Sequence, residues 1–193
     1  MTPRNSSVCQ AASFVLLAVA LPLAAADLPA GLQNFEQVNE HLFRGAQPSG
    51  EGFRSLQALG VKVVLDLRES GSRSRAEAAQ VQALGMRYVN IPLSGISAPS
   101  AAQTAQILAL FNDANSGPVF VHCRRGADRT GTMVAIYRIS HDHWDNARAL
   151  AEARSHKMAG WEKLMQSYVL NYRPDVLAAD PQPKPVSSAG VAQ

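Results

Sequence analysis

The sequence predicts one α/β domain: a small, mostly parallel sheet flanked by helices on both faces, with an all-helical C-terminal part. Three observations lead there. The segments Val61 to Leu67 and Val119-Phe120-Val121 are apolar, β-branched-rich runs of strand length without polar alternation, as expected of strands covered on both faces. Helical patterns of about three turns alternate with these runs, which calls for crossover connections and a parallel sheet. After Cys123 the apolar spacing is helical throughout. The 193 residues are 47% hydrophobic and 17% charged, a composition that excludes disorder, collagen and coiled coil as descriptions of the whole chain.

Taken in order, residues 1–26 read as a secretory signal peptide. Arg4 supplies the positive start, Ala11 to Leu23 the apolar stretch, and Ala24-Ala25-Ala26 the small-residue cleavage site. The apolar stretch is too short for a good transmembrane helix, so no stable membrane span is expected after cleavage, and the destination is periplasmic or secreted. Cleavage would remove Cys9 and leave Cys123 as the one thiol, which marks it as a candidate reactive group in an oxidising compartment.

The domain itself is assigned to 27–173. Phe35 to Gln47 reads as a short extended pair turning at Asn39-Glu40. Ser49 then offers an N-cap to a helix with Phe53, Leu56 and Leu59 at helical spacing, ending at Gly60. Val61 to Leu67 is a strand, Ser74 to Leu84 a helix closed by Gly85, and Met86 to Leu93 a second strand. Ser94 to Ser100 is a loop, Ala101 to Asn112 a helix, and Gly117-Pro118 precedes the short apolar strand at Val119. Three helices follow: Thr130 to Ile139, Trp144 to Ala153 and Trp161 to Tyr172. The remainder, 174–193, is Pro-rich without apolar periodicity and reads as a disordered tail.

The formal net charge is only +3, too small to argue for nucleic acid as a partner. Fourteen of the 18 basic residues are Arg, however, the side chain whose planar fork suits phosphate.

The decisive segment is Val121-His122-Cys123-Arg124-Arg125-Gly126-Ala127-Asp128-Arg129-Thr130-Gly131, between an apolar strand and a helix. A loop at such a junction turns successive backbone N–H groups inward at a helix N-terminus and forms a nest for an anion. Gly126 lets the loop close tightly. The same field favours a thiolate at Cys123. Arg129, six positions on, curls back to hold two phosphoryl oxygens. Nucleophile and clamp then face one phosphorus atom.

This run of His-Cys, five residues, Arg and Thr-Gly resembles the signature of the cysteine-dependent protein tyrosine phosphatase superfamily. Leu42-Phe43-Arg44-Gly45-Ala46-Gln47-Pro48, Val64-Leu65-Asp66-Leu67-Arg68 and Ile91-Pro92-Leu93 are similar to stretches of atypical dual-specificity phosphatases, so the resemblance covers roughly Phe35 to Tyr172. It implies that Cys123 attacks phosphorus and forms a phosphocysteine, that Arg129 binds the phosphate, that Thr130 donates its hydroxyl to the Cys123 sulfur, and that His122 helps fix the thiolate. Backbone amides of Arg124, Arg125, Gly126, Ala127, Asp128 and Arg129 would complete the cradle. No metal or other cofactor is implied. The substrate would be a phosphorylated protein or small phosphorylated molecule, and the chain a monomer.

The departure from the family pattern is the general acid. The loop in which many relatives carry an Asp, here Ser94 to Ser100, has no acid. Asp128 is the substitute, either as proton donor or as a structural carboxylate bonded to loop amides or to Arg129. A general acid is worth about 10²–10⁴ in rate, so without one the leaving group must already be good, as in an aryl phosphate. Arg124 and Arg125 are read as widening the positive field. That favours a phosphoinositide or inositol polyphosphate as the alternative substrate, and a non-catalytic phosphate-binding module is a further alternative. His141-Asp142-His143 reads as a solvated helix end, His41 and His156 are single histidines without support, and Asp66 with Arg68 is either ligand-facing or a buried strand-end pair. Trp144 and Trp161 are assigned to helix packing.

Overall fold

The computed structural model describes residues 28–174. The expected leader with Cys9, and the expected tail from residue 175 on, lie outside the described residues.

The chain begins with a two-strand pair, β1 (Glu36–Gln37) and β2 (Leu42–Ala46), joined antiparallel. Asn39 closes the turn by accepting the backbone N–H groups of His41 and Leu42 on its Oδ1. Then α1 (Gly50–Ala58) starts at Ser49, whose hydroxyl accepts the Gly52 N–H at 3.2 Å. After it come β3 (Val63–Asp66), α2 (Ser72–Ala83), β4 (Arg87–Asn90) and α3 (Ala101–Phe111), the last opened by a capping box between Ser100 and Gln103. A short 3-10 turn (Ala114–Ser116) leads into β5 (Val119–Cys123), and the chain ends in α4 (Asp128–Ser140), α5 (Asn146–Ser155) and α6 (Lys163–Asn171).

The sheet order is β1-β2-β5-β3-β4, with β2, β5, β3 and β4 mutually parallel. The last-formed strand is therefore central, and its five residues are all buried. Side chains alternate across it. Val119, Val121 and Cys123 join Val63, Leu65, Ile107, Met133 and Val134 on the face covered by α3 and α4. Phe120 joins Val64, Phe53, Leu56 and Val81 on the face covered by α1 and α2. Each fully buried side chain of this size removes from water the equivalent of about 1.5–3 kcal/mol. α4 is buried nearly all round because α5 and α6 cover its far side through Ile136, Leu150 and Val169.

This topology fixes the place of a site. β3 runs on into α2 on one face and its neighbour β5 into α4 on the other, so the two connections part at the C-terminal ends of adjacent strands and leave a crevice.

The helix boundaries differ from the sequence reading in an instructive way. α4 begins at Asp128, two residues before Thr130, so Asp128 and Arg129 are part of the helix. α5 begins after its N-cap Asp145, leaving Trp144 outside, clasped between the guanidinium groups of Arg138 and Arg148 at 4.6 and 3.7 Å from its ring centre. Trp161 corrects the packing assignment. It lies in the turn before α6 and is 74% exposed, because the apolar phase of that helix starts only at Met165.

Candidate active site

The loop from Arg124 to Ala127 stands at the mouth of the crevice. Three of its carbonyls are held from outside: that of Arg124 by the Gln47 N–H at 3.4 Å, that of Arg125 by Asn34 Nδ2 at 3.1 Å, and that of Gly126 by Arg44 Nη2 at 3.0 Å. A trans peptide puts C=O and N–H on opposite sides, so the amides of Arg125, Gly126 and Ala127 turn the other way. Among the described residues the N–H groups of Arg124 to Ala127 find no acceptor. They form the nest that the sequence predicts, at the N-terminus of a 13-residue helix. Gly126 is required here. Its φ is +67°, and a Cβ would lie 2.3 Å from the Gly45 carbonyl carbon.

Cys123 ends β5 at the floor of this loop and is 3% exposed. Arg129, in the first turn of α4, reaches across the crevice. Its Nη1 lies 3.3 Å from both carboxylate oxygens of Glu69 and from the Leu93 carbonyl. Glu69, on the β3–α2 connection, was not singled out by the sequence, since nothing in its spacing links it to the loop. Its own backbone N–H and the Arg129 guanidinium hold its carboxyl below the usual carboxylate range against a small opposing effect of burial. Arg129 therefore already contacts an anionic group at the mouth of the crevice.

Three expected roles change. Thr130 is fully buried, but its Oγ1 has no hydrogen-bond partner, so the implied bond to the Cys123 sulfur is not formed. His122 points to the opposite face of the sheet from Cys123, as strand alternation requires, and reaches its neighbour only through a 3.3 Å approach of Nδ1 to the Cys123 carbonyl. Asp128 uses both carboxylate oxygens within the protein: Oδ1 accepts the Ala159 N–H at 2.9 Å and Oδ2 accepts Arg125 Nη2 at 2.8 Å. Both oxygens are engaged as in a structural carboxylate, but with partners other than the loop amides or Arg129 expected from the sequence. The bond to Oδ2 also takes Arg125 away from the pocket field, whereas Arg124 remains there.

Behind the loop lies a buried charge cluster. His122 Nε2 stands 2.8 Å from Glu77 Oε1, close enough for an ion pair but out of line for a hydrogen bond, so both atoms lack a hydrogen-bond partner. Arg68 donates to Asp66 and to Glu77 at 2.6 Å each, and the Tyr88 hydroxyl donates to Asp66 at 2.7 Å. Burial disfavours the Asp66 carboxylate, but the Arg68 bonds outweigh it and hold its pKa below the ordinary value. Burial and the same carboxylate push the Tyr88 hydroxyl up. Asp66, Glu77 and His122 offer ligand atoms within 4.8 Å of one another, but the cation among them is Arg68, which takes both carboxylates. Asp66 is thus buried in a strand-end pair, whereas its partner Arg68 also reaches the wall of the cleft beside Arg129.

The other histidines resolve as well. His141 Nδ1 meets Asp142 at 2.7 Å at the exposed end of α4, as a solvated helix terminus would. His156 is better supported than the sequence suggests: it contacts Glu36 and Asn34, and burial followed by the nearby Arg44 holds its pKa below the ordinary value.

A cleft of about 400 Å³ opens beside Arg129, lined by Arg68, Glu69, Ser72, Arg73, Arg124 and Arg129 among others. Arg73 and Arg124 make no side-chain hydrogen bond or ion pair among the described residues, and the first turn of α2 carries no acid.

Comparison with known proteins agrees with this geometry. The chain is 31% identical over 119 residues to the dual specificity protein phosphatase TpbA of Pseudomonas aeruginosa strain UCBPP-PA14, a match that covers 62% of this chain and 52% of that protein. It is 27% identical over 126 residues to the rat dual specificity protein phosphatase 26, covering 63% and 59% respectively. The chain thus spans about half the length of the curated relatives it matches. The crystal structure of P. aeruginosa TpbA superposes with a TM-score of 0.64 at 27% identity, over 77% of this chain and 94% of that one, and a Cys-to-Ser variant of TpbA solved with pTyr superposes equally well. Residues 29–169, which hold the nest, Cys123 and Arg129, match the family model described as the DSP-PTPase phosphatase fused to NAD+ kinase, and the chain belongs to that family.

Proposed function

We propose that this protein hydrolyses phosphomonoesters through a phosphocysteine intermediate, acting as a tyrosine or dual-specificity phosphatase on substrates with good leaving groups. The observation that carries this reading is the row of unpartnered amides from Arg124 to Ala127, with Cys123 at its floor and the Arg129 fork at its mouth. The amides and Arg129 stabilise charge on the three non-bridging oxygens that travel with phosphorus, a preorganised electrostatic term. Cys123 attacks phosphorus as thiolate while the ester oxygen leaves, and water then displaces sulfur. With Asp128 occupied and no acid between Ser94 and Ser100, protonation of the leaving group is weakly supported, which selects aryl over alkyl phosphates. The pTyr complex of the TpbA variant supports the same class of substrate. The proposal extends to an exported protein, on the strength of the leader read in residues 1–26.

Cys123→Ser and Arg129→Lys are both expected to lose hydrolysis of p-nitrophenyl phosphate and of a phosphotyrosyl peptide by more than a thousandfold. Cys123→Ser should still bind vanadate. Turnover by Cys123→Ser within tenfold of the wild type rejects the mechanism.

The cleft holding Arg73 and Arg124 favours a second reading, in which the substrate carries further phosphates, as an inositol polyphosphate or phosphoinositide does. Phosphate release from phosphopeptides and from inositol phosphates, compared at equal concentration, decides between the two.

A further inference from the structure

Arg44 is a guanidinium placed where no solvent reaches it. It is 0% exposed, and among the described residues its Nε and Nη1 have no hydrogen-bond partner; the one side-chain bond it makes there is from Nη2 to the Gly126 carbonyl. Such a group is expensive to bury, and an apolar side chain of similar volume would often serve the fold better. Neither nearby acid hydrogen-bonds it: Glu152 accepts from Arg138 on Oε1 while its buried Oε2 finds no hydrogen-bond partner among the described residues, so it balances the Arg44 charge only through space, and Glu36 contacts His156. Its position is set by strand register. Arg44 pairs with Val121 and Ala46 with Cys123 across the β2–β5 ladder, so alternation puts the Arg44 side chain on the same face of the sheet as Cys123, beneath the loop.

We infer that Arg44 is a positioning residue of the reaction, which fixes the peptide between Gly126 and Ala127 so that the Ala127 N–H faces the phosphate and which lends its buried charge to the Cys123 thiolate. The first part follows from peptide planarity: a carbonyl held outward by Nη2 sends the next N–H inward. The neighbouring peptides are steered by the uncharged groups Asn34 Nδ2 and Gln47 N, so Arg44 is the member of the outer ring that also brings charge. The second part follows from linkage. Burial holds the Arg44 pKa below its ordinary value, whereas Glu152, Glu36 and an ionised Cys123 raise it, so the charged states of Arg44 and Cys123 favour one another. The other charges facing this pair are Arg138 and, from its first turn, Arg129 of α4, together with His156 after α5. His122, with Glu77, Asp66 and Arg68, lies on the opposite face of the sheet.

The inference rests on the phosphatase reading, and its test is chosen to be separate from turnover. In the full chain, iodoacetamide alkylation read by mass on the Cys123 peptide reports the thiolate as a function of pH, and protection by inorganic phosphate reports the nest. Hydrolysis of p-nitrophenyl phosphate by the wild type, measured in parallel, tests the phosphatase reading alone. Arg44→Met keeps the buried volume. It is expected to raise the alkylation midpoint by about one pH unit and to weaken phosphate protection about tenfold. Arg44→Lys, which keeps the charge as a point rather than a fork, should restore the midpoint but only part of the phosphate protection. An Arg44→Met protein that melts at a lower temperature but keeps the wild-type midpoint and phosphate protection makes Arg44 purely structural and overturns the inference. If Arg44→Met does not fold, Arg44→Lys decides: a midpoint raised as far as one unit, or phosphate protection equal to the wild type, overturns it.

Discussion

Asp128 and Glu69 are two carboxylates at one loop with different duties. Asp128 joins the nest to the connection after α5 by bonding the Ala159 N–H and Arg125, so it acts on the shape of the loop. Asp128→Asn keeps one acceptor but sets an amide against Arg125. It is expected to slow aryl and alkyl phosphates by the same factor, about two- to fivefold, and to leave the alkaline limb of the pH profile in place. A much larger loss on the alkyl phosphate would identify Asp128 as the proton donor. In the proposed reaction Glu69 would compete with the phosphate for Arg129, since its carboxylate is within 3.3 Å of Nη1. Glu69→Gln removes a negative charge from the mouth and is expected to lower KM for p-nitrophenyl phosphate severalfold at low salt. The effect should fade as salt rises, because Glu69 is largely exposed and its field is screened.

At the scale of elements, the loop from Arg124 to Ala127 owes its form to β2, and α2 brings Glu77 to the charge cluster behind it. The backbone of Gly45 leaves no room for a side chain at position 126, so Gly126→Ala must push the loop off β2. We expect it to lower stability by about 2 kcal/mol or more and to weaken phosphate binding at least tenfold, as read by urea unfolding and by phosphate inhibition. The Asp66–Arg68–Glu77 cluster ties β3 to α2. Arg68→Met leaves two buried carboxylates without their cation and is expected to cost about 3–5 kcal/mol at pH 7. The pH dependence has a definite sign. The folded pKa of Asp66 is depressed, so its contribution is complete above the unfolded value of about 3.9 and is lost as pH falls through the lower folded value. The stability gap between wild type and Arg68→Met should therefore narrow below about pH 4; a constant gap would show that Asp66 ionisation does not support the fold.

For the whole molecule, the crevice between β3 and β5 follows from strand order, and the chemistry from what the two diverging connections bring to it. The reading of residues 1–26 makes a prediction for the mature protein. Expression in a bacterium with an export pathway should yield a chain that begins at Asp27, which intact mass and N-terminal sequencing will check. A product retaining Cys9 in the cytoplasmic fraction counts against export. Among the described residues no helix is long and apolar enough to cross a membrane.

Much of this protein is legible in local sequence because local physics sets it. Apolar runs place the central strands, Ser49 starts its helix as a cap, and the Cys123 to Gly131 segment carries the loop, the thiol and Arg129 in one continuous stretch. Helix starts after β5 are less legible, since Trp144 and Trp161 have the apolar character of helix residues while Asp145 and the turn at Glu162 decide where winding begins. What only the tertiary structure decides are pairings over long separations. Glu69 meets Arg129 across 60 residues, Arg44 meets Gly126 across 82, and Asp128 turns to Ala159 rather than to a leaving group. No periodicity encodes such contacts: they arise because β5, the last strand in the chain, inserts between two earlier ones and brings their ends together around one loop.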